Sequence, residues 1–212
     1  MIRLAVLASG AGTTLQALLE AFPPSSTQTA AVIAVACNTP GAGALARARA
    51  AGVPALLVDH RGRSAGAFET ELADTLDAHR PDLLCLAGFL RMLSPGFVAR
   101  YRQRILNIHP ALLPAFGGKG MYGERVHEAV LAAGATISGC TIHLVDETPD
   151  GGPIVAQAAV PVLSGDTVQT LAARVQAEER RLYPEVVRWW AAGRLEVADG
   201  RVIWRPPGGG AP

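Results

Sequence analysis

Arg3-Leu4-Ala5-Val6-Leu7-Ala8-Ser9-Gly10-Ala11-Gly12-Thr13-Thr14-Leu15-Gln16 opens the chain with an apolar run, a glycine-rich turn and the start of an Ala/Leu-rich helical pattern. A short, almost continuously apolar run suits a strand covered on both faces. The glycines let the backbone turn tightly and approach a ligand. Thr13 and Thr14 set hydroxyls beside the unpaired N–H groups of a helix N-terminus, a setting that favours phosphate or another anion. The dinucleotide fingerprint needs a third glycine where Leu15 stands, and Asn38 occupies the place of the acidic residue after the second strand. The loop therefore suits a monophosphate better than NAD; a tight turn without a ligand is the alternative.

The same strand–helix alternation continues outward. Apolar runs at Arg3–Ala8, Ala31–Ala36, Ala55–Val58 and Leu83–Ala87 are separated by helical spacing over Thr13–Phe22, Gly41–Ala51 and Gly66–His79. Repeated units of this kind predict a parallel sheet with right-handed crossovers. Ile105–Ile108 reads as a fifth strand and Glu124–Ala133 as a helix that stops at Gly134. Thr141–Val145 and Ile154–Val160 read as an antiparallel extension joined through a turn that holds Asp150. A long helix from Thr167 to about Trp190 is expected to be interrupted near Pro184, because proline lacks the N–H that continues the ladder. Arg194–Trp204 reads as a small hairpin turning at Asp199-Gly200, and 206–212 as a flexible tail. The fold class expected is α/β: a mostly parallel twisted sheet with helices on both faces and an antiparallel C-terminal extension. Residues 1–205 are expected to form one domain, with a phosphate-binding half over 1–100 and a catalytic half over 101–205.

Composition narrows the function. The 212 residues are 50% hydrophobic and 17% charged, so a packed core is expected. A net charge of +1 and a 5% aromatic content give no basis for nucleic acid or an acidic membrane as partner. No apolar run approaches the ~20 residues that span a bilayer, and the apolar start passes straight into the glycine loop, so it reads as a strand and not as a signal peptide. Cys37, Cys85 and Cys140 are odd in number and sit in apolar runs, which predicts buried thiols and a cytoplasmic protein, with neither a disulfide frame nor a metal site.

Leu106-Asn107-Ile108-His109-Pro110 carries the chemistry. Residues i and i+2 of a strand face the same side, so Asn107 and His109 can aim an amide donor and an imidazole at one reacting atom. Such a pair can stabilise an oxyanion while moving a proton. Asp150, on the Asp150-Gly151-Gly152-Pro153 turn, could reach back, orient the ring and favour its charged form. Thr141 and His143 share a strand face and are placed as supporting residues; a core position is the alternative for His143. His127, on the predicted helix, reads as solvent-facing or structural. No serine or cysteine nucleophile stands near His109, and the histidines lack zinc spacing.

The glycine loop, the Asn-Ile-His-Pro phrase and the Asp-Gly-Gly-Pro turn occur in an order that resembles the phosphoribosylglycinamide formyltransferase family, the folate-dependent enzymes of purine biosynthesis. The likeness runs from Met1 to about Leu195 and includes Pro81–Pro95, Gly139-Cys140-Thr141-Ile142-His143 and Arg174–Glu179 followed by Tyr183-Pro184. It implies a Rossmann-like formyltransferase fold. It also implies transfer of a formyl group from 10-formyltetrahydrofolate, as co-substrate, to the amine of glycinamide ribonucleotide, without a metal. By resemblance Gly12, Thr13, Thr14, Gln176 and Glu179 hold the ribonucleotide. Leu90, Arg91, Met92 and Leu93 bind the pterin with Asn107 and the loop Asp146, Glu147, Thr148, Pro149 and Asp150. Asn107, His109 and Asp150 are the catalytic trio, with Thr141 supporting Asp150. The partners implied are small molecules, and the protein is a monomer or homodimer.

Departures from the family pattern are local. Ala11 and Thr14 stand where the family usually carries Asn, and Gly117 replaces a common proline, which implies a looser loop. Gly117, Gly118, Gly120 and Gly123 suggest that 116–123 moves. Ala65 follows Ser64 where the family often has Arg; Arg61 and Arg63 stand nearby, which leaves an arginine contact to the folate tail open. Two rival formyl-folate enzymes, a methionyl-tRNA formyltransferase and a formyl-folate hydrolase, usually add a C-terminal tRNA-binding or an N-terminal regulatory domain, and neither is evident. A phosphate-binding module without catalysis is the rival from a different class, since the fold alone would allow it.

Overall fold

A computed structural model of the chain describes residues 1–25 and 29–205. The tail expected over 206–212 lies outside the described residues. Seven strands form one sheet: β1 (Ile2–Ala8), β2 (Ala30–Cys37), β3 (Ala55–Leu57), β4 (Leu83–Leu86), β5 (Ile105–His109), β6 (Ile137–Leu144) and β7 (Ile154–Pro161), in the order β3-β2-β1-β4-β5-β6-β7. β1 to β5 pair in parallel. β6 then runs antiparallel to β5, and β7 antiparallel to β6. The chain reverses its direction of winding between β1 and β4, and such a switch point opens a crevice at the carboxyl ends of the strands.

Among the described residues six helices cover the sheet: α1 (Thr13–Ala21), α2 (Gly43–Ala50), α3 (Ala65–Asp77), α4 (Pro95–Arg100), α5 (Glu124–Ala132) and α6 (Val168–Ala191). The two-residue period of β1 divides the core. Leu4, Val6 and Ala8 pack with α1, α2, α5 and α6, whereas Ala5 and Leu7 pack with α3 and α4. Helices on both faces account for strands that read as continuously apolar. A final hairpin, β8 (Leu195–Ala198) with β9 (Arg201–Trp204), stands apart as a two-stranded sheet.

Three elements differ from the sequence-based expectation. α4 is a single short helix that periodicity cannot register; Ser94 caps it, accepting from Phe97 N at 3.3 Å, with Pro95 in its first turn. β6 begins at Ile137, four residues before the expected Thr141, because Ser138 and Gly139 pair with β7 despite weak strand propensity. A Cβ on Gly139 would lie 2.0 Å from the Ala158 carbonyl, so that glycine serves the close approach of two strands. α6 continues through Pro184 without interruption. The carbonyl that loses its donor there belongs to exposed Arg180, and the turn around Pro184 is fixed by Tyr183, whose hydroxyl donates to Leu106 O at 2.9 Å and Leu86 O at 3.2 Å. α6 starts at a capping box built by Thr167 and Thr170.

Candidate functional site

A cavity of ≈ 470 Å³ opens at the carboxyl ends of β1, β4 and β5. One end is walled by the glycine loop, Gly10 to Thr14, with Gln176 and Glu179 of α6. The other end is walled by Leu90–Leu93 and by Asp146–Asp150. Asn107, His109 and His143 also line the cavity. Every site residue expected from the sequence lines this cavity except Thr141.

The glycine loop has a defined path. Gly12 adopts φ 75° at the N-cap of α1, and a Cβ there would lie 2.9 Å from Ala44 Cα. Arg47 Nε donates to Ala11 O at 2.9 Å, and Ala44 N donates to Gly10 O at 3.1 Å, so α2 holds the loop from outside. No side chain caps α1, which leaves its first N–H groups for a ligand. Thr13 is exposed there, but Thr14 is buried and donates its hydroxyl to Glu179 Oε2 at 3.2 Å. Thr14 thus ties the loop to α6, and its hydroxyl is not free for an anion. Burial pushes the Glu179 carboxyl up to about 7.

Ser9 links the two ends of the cavity. Its hydroxyl donates to Asn38 Oδ1 at 2.7 Å and accepts from Leu90 N at 2.9 Å, and its own N–H donates to Gly88 O at 3.0 Å. Leu90 and Met92 are exposed at the cavity mouth, while the Arg91 guanidinium stacks 5.3 Å from the Phe68 ring centre. Arg61 pairs with Asp59 at 2.7 Å and Arg63 with Glu71, and neither lines the cavity.

At the centre, Asn107 and His109 lie on the same side of β5 as Ile105, as the strand period requires. Asn107 Nδ2 lies 3.0 Å from His143 Nε2, and His143 Nδ1 lies 3.0 Å from Leu144 O. A carbonyl can only accept, so Nδ1 carries the proton and Nε2 accepts from Asn107. The neutral ring this requires matches its burial, which lowers the His143 pKa. Asn107 keeps its second N–H and its Oδ1 for a ligand. His109 Nε2 donates to Phe116 O at 2.8 Å, and its Nδ1 faces Asp150 Oδ2 at 3.5 Å. Asp150 sits in the left-handed region, φ 53°, and accepts from Gly118 N at 2.9 Å. His143 Nε2 lies 3.7 Å from Asp150 Oδ1. One carboxylate thus faces two imidazoles.

Thr141 is fully buried and does not touch Asp150. Its hydroxyl donates to Ala111 O at 2.7 Å and accepts from Leu113 N and Gln157 Nε2, each at 3.0 Å. It holds the loop after β5, so its support of the site is through the path from His109 to Pro114. Gly117 does not loosen that loop. A Cβ there would lie 2.5 Å from Leu113 Cδ2 and 3.4 Å from Asp150 Cβ, so the glycine lets the chain press against Asp150. Gly118 and Gly120, at φ 91° and 90°, then allow turns that other residues resist.

Wall residues not read from the sequence as site include Gly88-Phe89, Val145, Ala172 and His127, and the loop expected to move, 116–123, contributes Gly118 to Gly123. His127 is buried at 3% exposure, neither solvent-facing nor packed only as core. The amphipathic pattern of α5 leaves it on the boundary of the buried face, and only packing against α6 decides its side. The three cysteines are free and buried, and burial pushes Cys37 up to about 11 and Cys85 and Cys140 up to about 12. Such thiols are poor nucleophiles. Among the described residues no helix is long and apolar enough to cross a membrane, and no group of three His, Cys, Asp or Glu is placed to hold a metal.

Residues 2–187 match the formyl transferase family. The chain belongs to that family. Among known proteins, it is 40% identical to phosphoribosylglycinamide formyltransferase of Escherichia coli (strain K12), over 93% of this chain and 91% of that one. It is 41% identical to the trifunctional purine biosynthetic protein adenosine-3 of Bos taurus, but spans only 20% of that protein's length. Among solved structures, glycinamide ribonucleotide transformylase 1 from Symbiobacterium toebii is similar at TM-score 0.88 and 44% identity, covering 96% of this chain and 94% of that one. Its fold is therefore the Rossmann-like formyltransferase fold.

Proposed function

We propose that this formyltransferase moves the formyl group of 10-formyltetrahydrofolate to the amine of glycinamide ribonucleotide, in purine biosynthesis. The observation that carries the reading is that Asn107, His109 and Asp150 line one cavity together with the N-terminus of α1 and the apolar Leu90–Leu93 segment. The anion-suited α1 N-terminus would take the ribonucleotide phosphate, with Thr13 and the backbone of Gly12 and Thr14 around it. Gln176 and Glu179 would meet the rest of the ribonucleotide. The apolar mouth at Leu90–Leu93 and the loop Asp146–Asp150 suit a flat heterocycle. The relatives of matching length carry names that agree with these substrates.

In the reaction the neutral amine attacks the formyl carbon and a tetrahedral oxyanion forms. The uncommitted N–H of Asn107 donates to that charge, and His109, with Nε2 on Phe116 O and Nδ1 towards Asp150, lies beside it and orients the carboxylate. His143 holds the Asn107 amide in the required orientation. The C–N bond to the folate then breaks. The amine loses one proton and the departing folate nitrogen gains one, so no net proton is exchanged, and a water held by Asp150 can carry it. Holding two substrates in contact supplies much of the rate. Neither a covalent intermediate nor a metal enters this scheme. The small-molecule substrates need no nucleic-acid or membrane partner, a cytoplasmic setting fits, and the enzyme works as a monomer or homodimer.

The test is the consumption of formyl-folate by purified protein, followed by absorbance with and without glycinamide ribonucleotide. Consumption that depends on the ribonucleotide is expected. Consumption without it would indicate a hydrolase, and none in either case would overturn the reading.

A further inference from the structure

The wall segment 88–94 is held at both ends by residues that stand behind it. At its start, Ser9 N donates to Gly88 O at 3.0 Å, and Leu90 N donates to the Ser9 hydroxyl at 2.9 Å. At its end the hold comes from α3. Glu69, 9% exposed, accepts from Ser94 N at 2.7 Å on Oε1 and from the Ser94 hydroxyl on Oε2. Phe68, its neighbour on α3, lies under the Arg91 guanidinium. Gly88 to Leu93 all line the cavity, whereas Glu69 and Ser94 do not. Among the described residues Glu69 pairs with no cation, and its carboxylate is spent on Ser94 alone. Burying a charge without a counter-charge costs stability. The Ser94 hydroxyl already caps α4 by accepting from Phe97 N, so the helix start does not need the carboxylate. Between the two pinned ends, Phe89 and Leu93 pack towards the core, while Leu90 and Met92 stay exposed. The N–H groups of Arg91, Met92 and Leu93 meet no protein acceptor among the described residues.

We propose that Glu69 is a positioning residue for the formyl donor. By holding both polar groups of Ser94 it sets the path of 90–93, and with it the backbone and apolar groups that meet the flat heterocycle. It touches no substrate and acts only through Ser94. With that end released, the segment would populate several arrangements, and the apparent affinity for the donor would fall by the fraction that remains competent. The inference rests on the reading of 90–93 as the place of the donor, proposed above.

The test measures the Kd for formyl-folate by calorimetry without acceptor, both KM values, kcat and the thermal midpoint. It compares the parent with Glu69→Ala, Glu69→Asp and Glu69→Gln. In Glu69→Ala the Kd and KM for formyl-folate should rise about tenfold, as when about one-tenth of the molecules hold the competent arrangement, while the ribonucleotide KM and kcat stay close to the parent's. Glu69→Asp keeps the charge but not the reach to both groups of Ser94. It should show the same split, and it carries the test if Glu69→Ala does not fold. Glu69→Gln keeps an acceptor for Ser94 N, and its NH2 can donate to the Ser94 hydroxyl oxygen, so it should recover most of the affinity. A lower thermal midpoint with the formyl-folate Kd unchanged, or equal rises in both KM values, would show a carboxylate that serves the fold alone and overturn the proposal. A parent that binds formyl-folate but does not formylate the ribonucleotide would overturn the acceptor reading alone, and the Kd comparison then decides on Glu69. A parent that does not bind formyl-folate would overturn both.

Discussion

Asn107 is the residue on which the site turns. The Leu144 carbonyl fixes the tautomer of His143, His143 fixes the amide of Asn107, and the amide keeps one N–H free, which the proposed mechanism gives to the reacting oxygen. Removing a preorganised donor of this kind costs roughly 100- to 1,000-fold in rate. Asn107→Ala should show that loss in kcat while its thermal midpoint stays close to the parent's; near-normal turnover would remove Asn107 from the mechanism. Glu179 gives a second prediction. Its carboxyl titrates near 7 in the fold against 4.5 as the reference value, so folding favours its protonated form. The stability this contributes is fully present below pH 4.5 and is lost as pH rises through 7. Glu179→Gln should therefore be more stable than the parent at about pH 8, by an amount on the order of 3 kcal/mol, with the difference closing by about pH 5. A difference that ignores pH in urea denaturation would contradict this. The pair Asn107 and His109 was legible in the sequence because a strand's two-residue period says which side a residue faces. Thr141 and His127 were not, because the period says nothing of the partner met there. Thr141 meets the 111–113 backbone, and His127 meets a cavity that only the packing of α5 on α6 defines.

At the scale of elements, the turn after β6 positions the Asp150 carboxylate, to which the proposed mechanism gives a catalytic role. A Cβ on Gly152 would lie 1.9 Å from Leu144 O and 3.1 Å from Asp146 N, both backbone atoms that cannot move aside cheaply. Gly152→Ala must displace the 146–150 loop. It is expected to cost about 1–3 kcal/mol of stability, as overpacking does, and to raise the KM for formyl-folate more than that for the acceptor. A denaturation midpoint and both KM values measured on one preparation check this, and parent-like values would show that the loop is not anchored there. The long elements were legible because their apolar patterns are strong. The short ones were not. α4 is too brief for helical periodicity, although Ser94-Pro95 carries its start signal. The beginning of β6 hides in Ser138-Gly139, where packing against β7 overrides local preference. Pro184 suggested a break, yet the buried Tyr183, with its bonds to Leu86 and Leu106, outweighs one missing N–H.

At the scale of the whole molecule, alternating strands and helices foretold a parallel sheet covered on both faces, since right-handed crossovers leave few other arrangements. The order of the strands was not readable in the same way. β1, β2 and β4 are all apolar runs, and nothing in such a run says that β1 pairs with both β2 and β4. That pairing opens the switch point, and the antiparallel return through β6 carries His143 and the Asp150 turn back over it. The result is a cavity lined by the anion-suited α1 N-terminus, by the apolar Leu90–Leu93 segment, and by the amide, the imidazoles and the carboxylate. The central claim is that the formyl group passes directly from one end to the other. A single turnover with formyl-labelled folate, with both products separated, tests it most directly. Label recovered in the ribonucleotide in step with released folate is the predicted result; label recovered as formate, whether or not the acceptor is present, would contradict the account.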